Sequence, residues 1–132
     1  AFQGKIVAVH LENGRILWSR ELSTYNELDA DDTNLYVTDE KGEVLALDLN
    51  SGATVWKQDK LRARFPSGPT VTGEHVAVGD FEGYVHWLAR ADGRFVARHR
   101  ASGAVRAKPV ADKRNLFVAT QTGALTALQV QP

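Results

Sequence analysis

Short apolar runs recur along this chain at nearly even spacing, and a polar turn containing glycine follows each. One run holds the same place in four units: Lys5-Ile6-Val7-Ala8-Val9, Glu43-Val44-Leu45-Ala46-Leu47, Tyr84-Val85-His86-Trp87-Leu88 and Ala124-Leu125-Thr126-Ala127-Leu128. A glycine stands directly before each run: Gly4, Gly42, Gly83 and Gly123, at intervals of 38, 41 and 40 residues. Ten residues after the first three comes a second glycine, Gly14, Gly52 and Gly93. Brief runs rich in β-branched and aromatic side chains, bounded by turn residues, predict strands. No segment sustains apolar residues at the 3.6-residue helical period.

The unit best formed covers residues 27–58. Residues 27–30 predict a short strand. Asp31-Asp32-Thr33-Asn34 predicts a turn whose side chains bond their own backbone. Residues 35–39 and 43–49 predict two more strands, with Glu40-Lys41-Gly42 between them, and residues 54–58 a fourth after Asn50-Ser51-Gly52. The next unit repeats this plan at 69–71, 75–78, 84–88 and 94–99. The last unit has 108–111, 115–119 and 124–130. The first has 5–11 and 15–21, with Ala1-Phe2-Gln3 as the tail of an earlier strand. About thirteen strands are expected.

A period near 40 built this way is the signature of a β-propeller blade. The third strand of the 27–58 unit is almost continuously apolar, as a strand covered on both faces must be. Closed propellers have ~4–8 blades. The chain is therefore expected to be all-β, a partial β-propeller of about three four-stranded antiparallel blades. The blade divisions are 1–22 (the end of one blade), 23–60, 61–102 and 103–132 (incomplete). Such an arc leaves apolar faces and open strand edges at its ends, which predicts self-association of the isolated piece.

The repeat also assigns structural roles. Gly42, Gly83 and Gly123 are expected to supply positive φ in hairpin turns, as are Gly14, Gly52 and Gly93. Trp18 and Trp56 follow Gly14 and Gly52 by four residues, which predicts packing between blades, with a stacked cofactor as the sharper alternative. Trp87 stands where the sister units have Ala8, Ala46 and Ala127, so an irregular blade contact is expected there. Asp48 ends an apolar strand and should accept hydrogen bonds in the turn that follows. In the strand over 94–99 the simple alternation places Arg94, Val96, Arg98 and Arg100 on one face and Phe95, Ala97 and His99 on the other.

Charge adds less. The formal net charge is zero, against the strongly basic footprint of a nucleic-acid binder. Residues 21–48 carry nine acids and one lysine; residues 90–114 carry eight Lys or Arg and two Asp. Edge charges on sheets and a docking patch of each sign both fit that imbalance. There is no cysteine, which excludes disulfides, thiolate metal sites and cysteine nucleophiles. His10, His75, His86 and His99 have no metal-ligand spacing. No catalytic, metal or cofactor-binding residue is expected, and no small-molecule substrate. The longer connection over 59–68 carries Arg62, Arg64 and Phe65. Propeller geometry would set them beside Asp39, Glu40, Asp80 and Glu82, a mixed-charge patch around an aromatic that suits a reversible protein contact. Charge reversal at Arg62 and Arg64 is expected to slow association with a partner and leave the fold intact.

The run Ala46-Leu47-Asp48-Leu49-Asn50-Ser51-Gly52-Ala53-Thr54-Val55-Trp56 resembles the AxDxxxGxxxW repeat of quinoprotein-type propellers. Ala8, Gly14 and Trp18 match it too, with His10 in place of Asp, while the third unit keeps only Gly93 and the fourth Ala127. That family includes pyrroloquinoline-quinone dehydrogenases and noncatalytic scaffolds. Within it, Val78-Gly79-Asp80-Phe81-Glu82-Gly83-Tyr84-Val85-His86-Trp87, followed by Asp92-Gly93-Arg94-Phe95-Val96-Ala97, resembles the periplasmic lipoproteins of the outer-membrane β-barrel assembly machinery. The likeness covers essentially the whole chain and matches the C-terminal portion of an eight-bladed ring. It implies a noncatalytic, cofactor-free scaffold on the periplasmic side of the outer membrane, lipid-anchored in full length, with the anchor absent here. The implied partners are the POTRA domains of BamA and nascent outer-membrane proteins, with the main docking loops upstream of Ala1. A fragment of a quinone-dependent dehydrogenase or of a quinoprotein-repeat sensor is the alternative. The lack of cysteine and of a metal cluster favours the scaffold.

Overall fold

The computed structural model describes residues 4–24, 27–113 and 115–129; the strand tail expected at residues 1–3 and the end of the last strand at Val130 lie outside them. Thirteen strands form four antiparallel sheets among the described residues. The first sheet is β1 (Lys5–Val9) with β2 (Ile16–Glu21). The second orders β3 (Asp29–Ala30), β4 (Asn34–Thr38), β5 (Val44–Asp48) and β6 (Thr54–Gln58). The third orders β7 (Thr70–Thr72), β8 (His75–Gly79), β9 (Tyr84–Ala89) and β10 (Phe95–Arg100). The fourth joins β11 (Val110–Asp112), β12 (Asn115–Ala119) and β13 (Leu125–Leu128). Each strand pairs with its neighbour in sequence, the meander expected of a blade. The only helical turn among the described residues is a 3-10 turn at Arg62–Arg64.

The core lies between the sheets. Val37, Leu45 and Leu47 pack with Ile6 of the first sheet, and Tyr36, Val44, Ala46 and Trp56 pack with Val76, Val78 and Leu88 of the third. Successive residues of β4 and β5 therefore feed two different interfaces, which is why β5 is buried almost throughout. Ala77, Val85 and Trp87 repeat the arrangement against Val105, Leu116 and Val118. Each fully buried aliphatic chain contributes about 1.5–3 kcal/mol relative to exposure.

A bulge recurs in each hairpin that joins a third to a fourth blade strand among the described residues. Ala8 pairs Trp18 while Val9 pairs Ile16; Ala46 pairs Trp56 while Leu47 pairs Thr54; Trp87 pairs Ala97 while Leu88 pairs Phe95. Leu17, Val55 and Val96 are the extra residues, each three positions after its turn glycine. A bulge shifts the side-chain alternation by one. It buries Trp56 while leaving Val55 exposed. The same shift overturns the simple alternation expected in the last strand of the third sheet, because Phe95 now shares a side with Arg98 and Arg100 rather than with Ala97 and His99.

The tryptophans couple adjacent sheets. Trp18 Nε1 donates to the Leu49 carbonyl at 2.7 Å, and Trp56 Nε1 donates to the Arg90 carbonyl at 2.9 Å. Each indole lies under the next sheet's outer turn. A Cβ at Gly52 would stand 2.5 Å from the Trp18 ring, and one at Gly93 would stand 2.3 Å from the Trp56 ring. Trp87 sits on the third strand of its sheet, not the fourth, and packs with Val105, Leu116 and Val118. Its cross-strand partner is Ala97, so the Ala–Trp pair of the other sheets is exchanged across the hairpin at nearly constant volume. Two ion pairs span the segments of opposite charge: Arg90 reaches Asp31 at 3.3 Å and Lys108 reaches Asp29 at 3.8 Å.

This geometry separates two costs of replacing glycine. Gly73→Ala meets no neighbour within 4 Å but holds φ of +59°, so it should cost only the left-handed strain, about 1–2 kcal/mol. Gly93→Ala carries the same strain at φ of +77° and also drives a methyl into Trp56, so its thermal midpoint should fall clearly further. Equal midpoints in differential scanning calorimetry would show that the indole is not held under the turn.

Candidate functional site

The site lies where the turns between second and third strands meet the connection over 59–68. Each turn is closed by the residue three before its glycine. Asp39 Oδ1 accepts from the Lys41 and Glu43 amides at 3.0 and 2.9 Å. Asp80 Oδ1 accepts from the Glu82 and Tyr84 amides, both at 2.9 Å. Thr120 Oγ1 takes the same part toward the Ala124 amide at 3.3 Å. Short polar side chains bonding the backbone ahead of them define such turns.

Gly42 lets the neighbouring connection close in, since a Cβ there would stand 2.8 Å from the Arg62 carbonyl oxygen. The connection is then pinned at several points. The Phe81 amide donates to the Arg64 carbonyl at 2.9 Å, the Ser67 amide donates to the Gly79 carbonyl at 2.8 Å, and Thr38 Oγ1 donates to the Ser67 carbonyl at 2.8 Å. Phe65 caps the 3-10 turn with φ of +50°, a left-handed conformation uncommon for a bulky residue. The residue is 72% exposed. It meets Phe81 edge-on with centroids 6.1 Å apart, and the Arg106 guanidinium sits 5.1 Å from the Phe81 centroid. Together with Asp39, Glu40, Lys41, Arg62 and Pro66 these residues line a groove of about 540 Å³.

The expected patch is thus divided. Asp39, Glu40, Arg62 and Phe65 line the groove. Asp80 does not, because its side chain is fully buried. It accepts from His86 Nε2 and from Arg64 Nε, each at 2.7 Å, and Arg64 extends to Glu82 at 3.6 Å. Arg62 is likewise bonded to the buried Glu43, which Lys57 also approaches at 3.9 Å. The expectation that reversing Arg62 and Arg64 spares the fold is therefore withdrawn: each reversal would face a buried carboxylate, which is strongly destabilising. The sequence signal for this was available, since Asp39 and Asp80 share one repeat offset with Thr120. The reading missed Phe81, Arg106 and the His86–Asp80 pair. Phe81 was legible as an apolar residue where the sister turns have Glu40 and Gln121. Arg106 has no such repeat signal.

Burial alone would raise the Asp80 carboxyl, but the bonds from His86, Arg64 and the Tyr84 amide hold it below the usual carboxylate range. Burial would likewise raise Glu43, and the Arg62 bond with the charges of Arg62 and Lys57 brings it below that range. Burial pushes the His86 imidazole down, against the opposing pull of Asp80. Neutral His86 then donates to ionised Asp80. Burial, with the charge of Glu43, pushes Asp39 up. No group of three or more metal-ligating side chains lies together among the described residues.

Comparison with known proteins gives a consistent result. The family model described as outer membrane protein assembly factor BamB matches residues 1–58 and 42–131. The assembly factor BamB of Alkalilimnicola ehrlichii is 38% identical over 131 residues, covering 98% of this chain and 34% of the relative. BamB of Bordetella pertussis is 40% identical over 131 residues, with 98% and 34% covered. Among solved structures, BamB from Moraxella catarrhalis matches with a TM-score of 0.90 at 25% identity, over 96% of this chain and 38% of that one. These curated relatives are named as assembly factors, not as enzymes. The chain spans about a third of their length.

The His86–Asp80 pair predicts a pH dependence. Unfolded His86 titrates near its ordinary value of about 6.5, and the folded imidazole titrates lower. Between the two the unfolded state binds the extra proton, so stability is full above that window and falls as pH drops through it. Asp80 and Glu43, both depressed, add losses only at lower pH, below the ordinary carboxylate value of about 4. The thermal midpoint should therefore drop between about pH 7.5 and pH 5.5. His86→Gln, which keeps a donor but does not titrate, should flatten that drop; parallel profiles for the two proteins would remove His86 as its source.

Proposed function

The chain belongs to the family of outer membrane protein assembly factor BamB, and from that premise we propose that it serves in a noncatalytic periplasmic scaffold which binds the POTRA region of BamA and assists insertion of outer-membrane β-barrel proteins. The scaffold is anchored by lipid in full length and works at the periplasmic side of the outer membrane. Within it, the groove around Phe65 and Phe81 is a peripheral protein contact.

The observation that carries the groove's role is Phe65 itself. A phenylalanine largely exposed in left-handed backbone costs free energy twice, in hydration and in strain. The connection that holds it is pinned by backbone hydrogen bonds, so little further entropy is lost when a partner covers it. Aromatic and arginine side chains with a charged rim are the usual chemistry of interface anchors. Glu40 and Lys41 form that rim, with Arg106 against the ring of Phe81.

The test is surface plasmon resonance of the full-length protein on immobilised BamA POTRA domains. Phe65→Ser with Phe81→Ser should weaken binding about five-fold or more, the two rings together being worth over ~1 kcal/mol. Both rings are exposed, so the thermal midpoint should hold or rise. Unchanged binding would reduce the groove to a solvated face. Failure of the unaltered protein to bind would overturn the scaffold reading itself.

A further inference from the structure

A second surface has a different chemistry. Strand β10 is the outer edge of its sheet, and all six of its residues are exposed. The bulge at Val96 turns Phe95, Arg98 and Arg100 to one side, over Tyr84 and His86 of β9. Three guanidiniums gather at the Tyr84 ring: Arg98 at 4.5 Å, Arg64 at 5.2 Å and Arg100 at 5.6 Å from its centroid. Beside them a cleft of about 360 Å³ opens between β10 and the connection after β6. Its cationic wall is Lys60, Arg64 and Arg98, and its apolar floor includes Leu61, Phe95 and Val96. No carboxylate lines it among the described residues.

The arginines elsewhere that lie close to acids are paired with them. Arg62 is bonded to Glu43, Arg90 lies between Asp31 and Glu74, and Arg94 holds Asp92. Arg64 is committed to Asp80 and Glu82. Arg98 and Arg100 have no ion-pair partner among the described residues; the face of Tyr84 is what they cover. Cations crowded on one ring repel each other, and the quadrupole of a tyrosine offsets only part of that. A counter-charge from outside would remove the imbalance.

We propose that this cleft is a second docking site, taking an extended segment of a partner protein in which carboxylates alternate with apolar side chains. The spacing selects that occupant. Arg98 and Arg100 are two residues apart on a strand, about 6.6 Å, the same interval at which alternate side chains of an extended segment recur. The carboxylates of such a segment, all on one of its faces, would meet Arg98 and Arg100 on β10, and its apolar side chains, on the opposite face, would cover Leu61 across the cleft. A bare anion uses the wall and leaves the floor exposed. The site goes beyond the scaffold reading, because it needs neither Phe65 nor Phe81.

The experiment is fluorescence anisotropy on the full chain with a labelled hexapeptide that alternates aspartate and phenylalanine. A lysine–phenylalanine hexapeptide, inorganic phosphate and phosphatidylglycerol vesicles are tested in parallel. The acidic peptide should bind saturably and weaken with added salt. Arg98→Glu with Arg100→Glu should weaken it at least ten-fold. Arg98→Lys with Arg100→Lys should weaken it less, since ammonium keeps the charge and loses the planar fork. Phe65→Ser with Phe81→Ser should leave it unchanged, so this cleft and the Phe65 groove are told apart; failure of the scaffold reading shows only in binding to the POTRA domains. All four side chains are exposed, and matching far-UV circular dichroism would show intact folds. Equal binding by the charge-reversed variant overturns the proposal. So does preferential binding of phosphate or vesicles through the same arginines, or a dimer in light scattering that those reversals dissolve.

Discussion

The structure depends on a contact that no single blade can make: an indole from one sheet lying beneath the outer turn of the next. Trp18 under Gly52 and Trp56 under Gly93 each join aromatic packing to a hydrogen bond from the ring nitrogen. The contact repeats with a second one close by, since Arg20 Nη1 donates to the Gly52 carbonyl at 3.0 Å and Gln58 Nε2 donates to the Gly93 carbonyl at 2.9 Å. Coupling is thus concentrated at the rim, while the apolar cover of β5 and β9 fills the space beneath. In an array where each unit touches only its neighbours, stability is close to a sum of unit and interface terms. The exchange of Trp87 and Ala97 keeps the volume inside the hairpin but removes the rim indole from that sheet. The next interface then relies more on its inner cluster, where Val105 fills the space over Gly79 so closely that a Cβ there would stand 2.1 Å from it.

The same frame sorts the charges. An acid three residues before a turn glycine is taken up by backbone amides and buried, as Asp39 and Asp80 are. An arginine on the adjoining connection then serves it or its neighbour, as Arg64 serves Asp80 and Arg62 serves Glu43. These charges are structural even though they sit in turns and loops, where exposure is the default assumption. What remains for recognition is the set the frame does not consume: the rings of Phe65 and Phe81, Arg106 against Phe81, and Arg98 and Arg100 over Tyr84.

Much of the fold was legible because the repeat supplies an internal comparison. The positions of the strands, the turn glycines and the role of Asp48, whose Oδ1 accepts from the Asn50 amide at 2.7 Å, follow from text recurring at a fixed offset. The bulge was not legible. Leu17, Val55 and Val96 are ordinary strand residues, and only the pairing shows that each of them stands opposite no residue of the partner strand where simple alternation would require one. One missed residue moved Phe95 to the other side of its strand and hid the surface it shares with Arg98. Where Trp87 finds its room was hidden for a related reason. Its room comes from Ala97, ten residues on, and that compensation appears only once the register across the hairpin is known.

The site was half legible, and the division has one physical cause. Sequence reports which groups are charged, but whether a charge is available depends on what lies within about 4 Å of it, because burial and pairing decide its free energy. Arg62, Arg64, Arg98 and Arg100 look alike in the text. The first two satisfy carboxylates that the fold has already buried, while the last two lie on an edge strand whose nearest partner is a ring. A buried acid at the turn offset or beside it is met by a cation on the next connection, as Asp80 is by Arg64 and Glu43 by Arg62. The arginines in excess of these pairs include Arg106, against Phe81, and Arg98 and Arg100 on β10, an edge strand that contributes no residue to the inter-sheet cores.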